Sequence, residues 1–387
     1  MKLHSYFLLS FLRVLSAFAP VPRLYQVTTI HRDGSILFTP QDHDGIEGSD
    51  SVDEINNLRF GGVSRLYGPH NLSRLQRSHV AIVGVGGVGC WTAESLCRSG
   101  VGAITLIDLD ELCISNSNRQ LHAMVGTVGR RKTAVLAERL RCINPSCVVQ
   151  ELTDFVTPEN VDEIVDRIHR EDWNKFGAKV SELRGQFVIV DAIDNVHDKA
   201  ALLVACRQRT IPFVTVGGAG GKRDPTRVRI ADITGATNDM LLRQVRKLLR
   251  REYGFPRESK GSEKRLHHKR NAISNMHIKA GELRSGQPWG VACVYSDEKA
   301  LSAILDASSN GLLGCDGAFG TACSVTGTFG FVAASAVIDL LLLPEKHKLE
   351  PKRCSAESGT SLAEFEGLEE AEGDAWEMDC PCSDFGN

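Results

Sequence analysis

The sequence lacks the cysteine pairs of a zinc site. It has 12 cysteines among 387 residues, and no two of them form a C-x-x-C pair. Cys315 and Cys323 lie eight positions apart, Cys354 stands alone, and Cys380 with Cys382 forms a CPC sequence. Because strong zinc sites use C-x-x-C pairs, the sequence predicts no zinc site of that type. A disulfide framework is not expected either, since a chain of this length can build its own hydrophobic core.

The chain also lacks a strong net charge, but its charges are unevenly distributed. The formal net charge is −3, so the overall composition does not indicate nucleic-acid binding. Residues 241–284 nevertheless contain thirteen Lys or Arg against four Glu. This stretch begins as an amphipathic helix pattern and continues as a polar loop. We expect residues 241–290 to form a basic insertion that contacts nucleic-acid phosphates, and a solvated face without a ligand is the alternative.

Each end of the chain lacks charges of one sign, the N-terminal end negative charges and the C-terminal end positive ones. No acidic residue precedes Asp33, and no basic residue follows Arg353. Residues 1–25 are basic and apolar, and we predict a cleavable targeting segment rather than a membrane span. Residues 26–58 are predicted to be a linker, and residues 344–387 a disordered acidic tail.

The sequence of the predicted targeting segment favours import into an organelle. The LSAFAP sequence at residues 15–20 resembles the cleavage motif of plastid presequences. A mitochondrial presequence is the alternative, and a cytoplasmic location follows if the segment is not a presequence. A second apolar run, residues 327–344, is compatible with membrane contact, but its glycines and Asp339 favour a buried core helix.

A single βαβ unit carries the clearest motif. Residues 80–110 read VAIVGVGGVGCWTAESLCRSGVGAITLIDLD, which is an apolar strand, a glycine-rich turn, a helix and a second strand. The glycines of the turn are Gly84, Gly86, Gly87 and Gly89. Such a turn lets the backbone approach a phosphate, and the helix directs free N–H groups at it. Asp108 ends the second strand, where these folds bind the ribose hydroxyls. Taken alone, the motif is also typical of NAD and FAD sites.

The residues that follow favour a triphosphate. Residues 114–122 read ISNSNRQLH and contain Asn118, Arg119 and Gln120, and Lys132 follows. Arginine binds phosphate oxygens through two nitrogens, and lysine adds a point charge. A nicotinamide dinucleotide would leave this polar cluster without a role. We therefore predict a nucleoside triphosphate as the ligand.

A third apolar strand supplies a candidate metal ligand. Residues 187–195 read FVIVDAIDN and place carboxylates at the carboxyl edge of the predicted sheet, where ligands bind. A carboxylate that faces a polyphosphate is a typical Mg²⁺ ligand. We predict that Asp194 binds Mg²⁺ and that Asp191 is structural. A helix cap is the simpler explanation for an isolated aspartate at a strand end.

Further segments extend the pattern along the chain. They read RFGGVSRLYG (59–68), DFVTPENV (154–161), VDAIDNVHDKAAL (190–202), IPFVTVGGAGGKRDPTRV (211–228), VACVYSDE (291–298) and GTACSVTGTFGFVAAS (320–335). Together with the nucleotide motif, they resemble the tRNA threonylcarbamoyladenosine dehydratases. These enzymes belong to an adenylating superfamily with the ubiquitin-activating enzymes and the activators of thiamine and molybdopterin synthesis. The resemblance covers residues 59–343, which we interpret as one ThiF-type adenylation domain.

The resemblance implies a fold and a reaction. The fold is a doubly wound, mostly parallel, Rossmann-like α/β sheet with a basic insertion. The reaction is an AMP-forming, ATP-dependent dehydration that cyclises N6-threonylcarbamoyladenosine in tRNA through an acyl-adenylate. An activator of a ubiquitin-like or sulfur-carrier protein is the alternative, against which the missing C-x-x-C pairs and the basic segment count. A nucleotide-binding or oxidoreductase module is a third possibility.

The resemblance also implies roles for individual residues. The glycine turn, Asp108 and Asp110 would bind the nucleotide, and Asn118 and Gln120 would orient it. Arg119 and Lys132 would neutralise the triphosphate. Arg65 matches an arginine that reaches into the partner subunit's site in this superfamily, which implies a homodimer. The other implied partners are the modified tRNA and a sulfur-relay protein.

Cys293 has two interpretations. In the superfamily, a cysteine after the nucleotide domain can accept the activated acyl group as a thioester, and VACVYSDE matches the segment that carries it. The alternative is a buried core residue, because free cysteines are among the most buried residue types.

The apolar runs and glycines also predict the order of elements. We expect βα units that start at Val80, Ala103, Cys147, Phe187 and Ile211. Residues 217–230 are predicted to form a glycine loop that turns into an antiparallel extension.

Overall fold

The computed structural model describes residues 25–30, 36–40, 52–169, 186–257, 287–301 and 319–342. Nearly all of the predicted targeting segment, the acidic tail and residues 258–286 of the predicted insertion lie outside the described residues.

A seven-stranded sheet forms the centre of the molecule, with strand order β5-β4-β3-β6-β7-β9-β8. Its strands are β3 (His79–Val83), β4 (Ala103–Ile107), β5 (Val148–Leu152), β6 (Phe187–Asp191), β7 (Phe213–Val216), β8 (Val228–Asp232) and β9 (Ala292–Ser296). Every neighbouring pair is parallel except β8 and β9, which are antiparallel. The predicted order of units and the antiparallel extension are therefore confirmed.

Helices cover both faces of the sheet. They are α1 (Val52–Tyr67), α2 (Pro69–Gln76), α3 (Gly89–Arg98), α4 (Lys132–Ile143), α5 (Val161–His169), α6 (Val196–Gln208), α7 (Met240–Glu252) and α8 (Cys323–Leu342). Helices α3, α4 and α8 pack on one face with Val80 and Ile82, whereas α5, α6 and α7 pack on the other with Ala81 and Val83. Because β3 is buried on both faces, every residue from Val80 to Val83 is apolar, as expected for a central parallel strand, and His79 at its start is a buried polar residue.

Helix α7 belongs to the core rather than to an insertion. Its buried residues are Leu242, Val245, Leu248 and Leu249, and they join the core cluster that also contains α6. The helical spacing of these residues was recognised in the sequence, but the insertion was predicted to start at residue 241. The structure moves that start beyond Glu252, because the apolar face of the helix covers the sheet.

The predicted linker contains secondary structure. Strands β1 (Tyr25–Ile30) and β2 (Ile36–Pro40) pair antiparallel, and α1 begins at Val52. The signal for the strand pair was present, since two runs rich in β-branched residues flank the Asp33–Gly34 dipeptide. The boundaries of the predicted linker, residues 26–58, are therefore corrected.

Helix α8 is long and apolar enough to cross a membrane by composition. In the most apolar part of the helix, 67% of the residues are buried inside the molecule. A Cβ atom added to Gly330 would lie 2.5 Å from Trp91 Cβ on α3, so the two helices approach closely. Helix α8 is therefore a buried core helix, as its glycines and Asp339 predicted.

Candidate functional site

A cavity of about 670 Å³ lies at the carboxyl ends of the parallel strands. Open α/β sheets bind their ligands at this edge, in the crevice where the strand order reverses. Residues that follow β3, β4, β5, β6 and β7 line the cavity, together with residues near the start of α8. Its size is in the range of sites that bind nucleotide-sized molecules.

The glycine turn after β3 forms one wall of the cavity. Gly84 has a φ of +86°, and a Cβ atom there would lie 2.8 Å from the carbonyl oxygen of Ala192. A Cβ atom at Gly89 would lie 1.9 Å from the carbonyl oxygen of Gly84. These two glycines are required by the protein's own packing. At Gly86, in contrast, the nearest atom to an added Cβ is Gln120 Nε2 at 3.9 Å, so space remains for a ligand beside the backbone.

Asp108 is held rigidly beside this turn. Its Oδ2 accepts a hydrogen bond from the Val85 amide and its Oδ1 one from the Asp110 amide, both at 2.9 Å. Burial raises the pKa of the Asp108 carboxyl, and the nearby Lys132 acts in the opposite direction. Each carboxylate oxygen can accept a second hydrogen bond, which suits the two hydroxyls of a ribose.

Lys132 is the first residue of α4, and its side chain is buried. Its Nζ lies 2.6 Å from Asp110 Oδ2 and 4.0 Å from Asp108 Oδ1. The free N–H groups of a helix N-terminus and a buried ammonium group both attract an anion. This end of the cavity is therefore suited to phosphate.

Arg119 and Gln120 also line the cavity. Arg119 Nη1 donates to the Ser115 carbonyl at 3.0 Å and to Asn118 Oδ1 at 2.9 Å. Gln120 is buried, and its Oε1 has no hydrogen-bond partner in the described structure. A buried carbonyl oxygen without a partner is costly, so a ligand that donates a hydrogen bond would stabilise it. The space at Gly86 and the unpartnered Gln120 both fit a bound nucleotide.

The turn after β6 holds the candidate metal ligand. Asp191 is fully buried, forms an ion pair with Lys199 at 2.9 Å and accepts a hydrogen bond from Thr215 Oγ1 at 2.6 Å. Its Oδ1 also accepts from the Ile193 amide, which shapes the turn. Asp194 is exposed and lines the cavity. Asp194 is therefore the carboxylate of this turn that fits a Mg²⁺ ion, because Mg²⁺ is usually bound by one or two carboxylates with the substrate's phosphates.

Several lining residues were not predicted from the sequence. Asp154 and Phe155 follow β5, Asp198 lies in the first turn of α6, and Phe319 and Thr321 precede α8. The position of Asp154, two residues after a strand, was a usable signal, since the carboxyl ends of parallel strands share one edge. Partial burial is the main reason that the pKa of Asp198 is raised, with Glu159 and Asp194 adding to the effect.

Four predicted residues do not line the cavity of the described structure. They are Gly89, Asn118, Arg65 and Cys293. Asn118 lies just outside, where its Nδ2 donates to the Thr321 carbonyl at 3.2 Å. Arg65 is exposed on α1.

Cys293 lies in β9 and is completely buried. Burial, reinforced by Asp232 and Asp239, raises the pKa of its thiol well above the usual value. A thiol nucleophile needs exposure and a lowered pKa. The geometry therefore favours the core interpretation of Cys293 over the thioester interpretation.

Comparison with known proteins identifies the family. Residues 62–370 match the ThiF family. The chain is 38% identical over 286 residues to a Haemophilus influenzae tRNA threonylcarbamoyladenosine dehydratase, covering 73% of this chain and 93% of that protein. It is also 38% identical over 293 residues to the Escherichia coli enzyme of the same name, with the same coverage.

A solved structure extends the likeness to three dimensions. The crystal structure of the E. coli tRNA N6-threonylcarbamoyladenosine dehydratase in complex with ATP has a TM-score of 0.57 and 37% identity. The match covers 76% of this chain and 96% of that one. The chain therefore belongs to the ThiF family and, within it, to the tRNA threonylcarbamoyladenosine dehydratases.

Proposed function

We propose that this protein uses ATP to cyclise N6-threonylcarbamoyladenosine in tRNA. The observation that carries the proposal is the combination, in one cavity, of the ribose acid Asp108, the glycine turn, the cations Arg119 and Lys132, and the acid Asp194. These are the groups that hold a nucleoside triphosphate for attack. Membership of the dehydratase family supplies the acyl substrate.

The reaction proceeds in two balanced steps. First, a carboxylate oxygen of the threonylcarbamoyl side chain attacks the α-phosphorus of ATP, and the bond to pyrophosphate breaks. Second, an oxygen or nitrogen of the carbamoyl group attacks the acyl carbon, the bond to AMP breaks, and a carbamoyl nitrogen loses one proton in either case. The formal loss of water is thus coupled to the conversion of ATP to AMP and pyrophosphate.

The chain's own residues position the reactants and neutralise charge. Asp108 orients the ribose, and the turn at Gly86 and Gly87 holds the phosphates against backbone N–H groups. Lys132 and Arg119 stabilise the negative charge that moves onto pyrophosphate. Asp194 would hold Mg²⁺, which supplies a positive charge on the phosphate oxygens when bound.

The direct test is nucleoside analysis by mass spectrometry of tRNA that carries threonylcarbamoyladenosine. After incubation with the purified protein, ATP and Mg²⁺, the nucleoside should lose the mass of one water, and omission of ATP should abolish the loss. The Asp194→Ala variant should lower the rate. Unchanged tRNA, together with ATP–pyrophosphate exchange that requires a small protein, would instead favour an activator of a carrier protein.

We extend the proposal to a homodimer in which Arg65 acts at the partner's site. The support is that Arg65 is exposed on α1, with Leu58 and Leu66 of the same helix 85% and 74% exposed. Exposed apolar side chains near a charged residue are typical of protein interfaces.

Subunit complementation tests this part. At an ATP concentration that just saturates the wild type, Arg65→Ala and Lys132→Ala should each have strongly reduced activity as homodimers, whereas a mixture should regain activity from the intact site of each mixed dimer. A mixture that dimerises and stays inactive would exclude the shared site. A sulfur-relay partner and a plastid location are part of the same proposal. Imaging of residues 1–58 fused to a fluorescent protein tests the location.

A further inference from the structure

The cavity extends beyond the residues assigned to the nucleotide. Asp108, the glycine turn and Asp194 follow β4, β3 and β6, which are consecutive neighbours in the sheet. The next strand, β7, leads into Gly217, Gly218, Ala219 and Gly220, and all four line the cavity. We call these four residues the β7 wall. With strands about 4.8 Å apart, the ends of β4 and β7 are separated by about 14 Å.

The β7 wall differs in chemistry from the nucleotide end. In the described structure, Leu241, Phe319 and Thr321 also line the cavity, Leu241 and Phe319 directly beside the wall, and none of these three side chains is charged. The amides of Ala219 and Gly220 are half-buried and form no hydrogen bond to any described residue. Two backbone donors beside apolar side chains suit a small group that carries carbonyl or carboxylate oxygens better than a polyphosphate.

A buried aspartate fixes the first half of the wall. Asp239 Oδ2 accepts from the Gly218 amide at 3.0 Å, and Oδ1 accepts from the Leu242 amide at 2.9 Å. A Cβ atom at Gly217 would lie 2.1 Å from Asp239 Oδ2, so the loop packs directly on the carboxylate. Asp239 thereby joins the wall to the start of α7.

A buried lysine fixes the second half. Lys222 Nζ donates to the Asn238 carbonyl at 3.0 Å and to the Glu298 carbonyl. The Gly221 amide donates to the Gly320 carbonyl at 2.9 Å, beside Phe319. The wall is therefore held in place from three directions before any ligand binds, as expected for a preorganised binding surface.

We propose that the β7 wall binds the threonylcarbamoyl side chain of the tRNA adenosine, and this inference rests on the proposed function. The amides of Ala219 and Gly220 donate to its carboxylate or carbamoyl oxygens, while Leu241 and Phe319 cover its carbon atoms. Asp239 and Lys222 are positioning residues, because they hold the wall without lining the cavity. ATP binds at the β4 and β3 end, and the acyl group enters from the β7 end.

Two glycines provide a matched pair of variants. An added Cβ would lie 3.8 Å from Leu241 Cβ at Gly218 and 3.9 Å from Gln120 Nε2 at Gly86, so alanine fits the fold at both positions. Both residues line the cavity, but at opposite ends. Gly218→Ala should raise the KM for the modified tRNA by about tenfold with little change in ATP affinity. Gly86→Ala should weaken ATP binding by a similar factor.

The measurements are cyclisation kinetics with modified tRNA and direct ATP binding by calorimetry, after circular dichroism shows that each variant is folded. A Gly218→Ala enzyme with an unchanged KM for tRNA, or with weakened ATP binding, would overturn the assignment of the β7 wall. In either case, cyclisation by the wild-type protein would leave the proposed function standing. A wild-type protein that binds ATP but never alters tRNA would refute the proposed function itself.

Discussion

At the scale of single residues, we expect the buried cation Lys132 to contribute to the affinity for ATP. Its Nζ contacts Asp110 at 2.6 Å at the phosphate end of the cavity. Lys132→Ala should weaken ATP binding by about 10- to 100-fold, the effect of a lost hydrogen bond to a charged group. Calorimetric titration with ATP measures this change.

Arg131→Ala is the matched control, because Arg131 is adjacent in sequence, carries the same charge and is exposed. It should leave the Kd for ATP nearly unchanged. Equal losses in the two variants would mean that net charge, rather than the position of the lysine, determines the affinity.

His122 should make stability depend on pH. Its ring is completely buried, both ring nitrogens lack a partner among the described residues, and burial together with Lys132 lowers its pKa to about 3. The unfolded chain therefore binds a proton near pH 6.5 that the folded chain rejects, so this contribution to stability is present above pH 6.5 and is lost as the pH falls toward 3. Between pH 7.5 and pH 5, we expect His122 to account for about 2 kcal/mol of lost stability.

Urea unfolding at both pH values gives the change in the free energy of unfolding for the wild type and for His122→Leu. The difference between these two changes is the contribution of His122. The variant should lose less stability than the wild type on acidification. His70→Gln, on the exposed surface of α2, should behave like the wild type. Parallel losses in His122→Leu and the wild type would show that the folded protein accommodates a charged His122.

The thiol of Cys293 should be unreactive toward alkylating reagents in the folded protein. It is fully buried in β9, and its pKa is raised well above the usual value. Iodoacetamide at pH 8 should alkylate the exposed Cys323 and Cys142 and leave Cys293 unmodified until denaturant is added, as peptide mass spectrometry can show. Alkylation of Cys293 at the rate of Cys323 would restore the thioester interpretation.

At the scale of elements, the close contact between α8 and α3 leaves no room for a side chain at Gly330. A Cβ atom at Gly330 would lie 2.5 Å from Trp91 Cβ and 2.9 Å from the Val88 carbonyl oxygen, whereas at Gly327 the nearest atoms are ring carbons of Trp91 at 3.8 Å. Gly330→Ala should destabilise the protein by about 1–3 kcal/mol, because the helices must separate. Gly327→Ala should be neutral or stabilising by up to about 1 kcal/mol, because alanine favours the helix.

Thermal or urea unfolding of the two variants compares the same chemical change one turn apart on one helix. Similar effects on the free energy of unfolding would mean that α8 and α3 do not pack as described.

The elements that could be predicted from the sequence were those in which apolar residues follow a clear pattern and the ends are marked by glycine or a polar residue. The strands that start near Val80 and Phe187 are apolar runs ended by glycine or aspartate, so their positions were confirmed. Helix α7 was assigned to an insertion because its charge dominates its composition, although only four buried residues decide where it packs. The glycine turn and Asp108 were found because a local motif carries them. Phe319 was missed because only the tertiary fold brings it to the cavity.

At the scale of the whole molecule, one helix that covers the sheet carries a row of exposed basic residues. On one face, α7 exposes Arg243, Lys247 and Arg251 at four-residue spacing, so they form one basic stripe. Arg265, Lys269 and Arg270, which belong to the predicted basic insertion, lie outside the described residues. The α7 stripe is therefore the part of the basic segment whose position is known, and Leu241, near the start of the same helix, lines the cavity beside the β7 wall.

This stripe should contribute to the salt dependence of tRNA binding. Each neutralised phosphate contact changes the slope of log K against log salt concentration by about 0.7–0.9. Replacing Arg243, Lys247 and Arg251 together with glutamine should therefore reduce the slope by about 2–3. Replacing Arg77, Arg98 and Arg141, which are exposed away from α7, removes the same charge and should leave the slope nearly unchanged. Filter-binding assays over a range of salt concentrations distinguish the two. Equal reductions would mean that tRNA responds to net charge alone, and no reduction in either would remove α7 from the tRNA-binding surface.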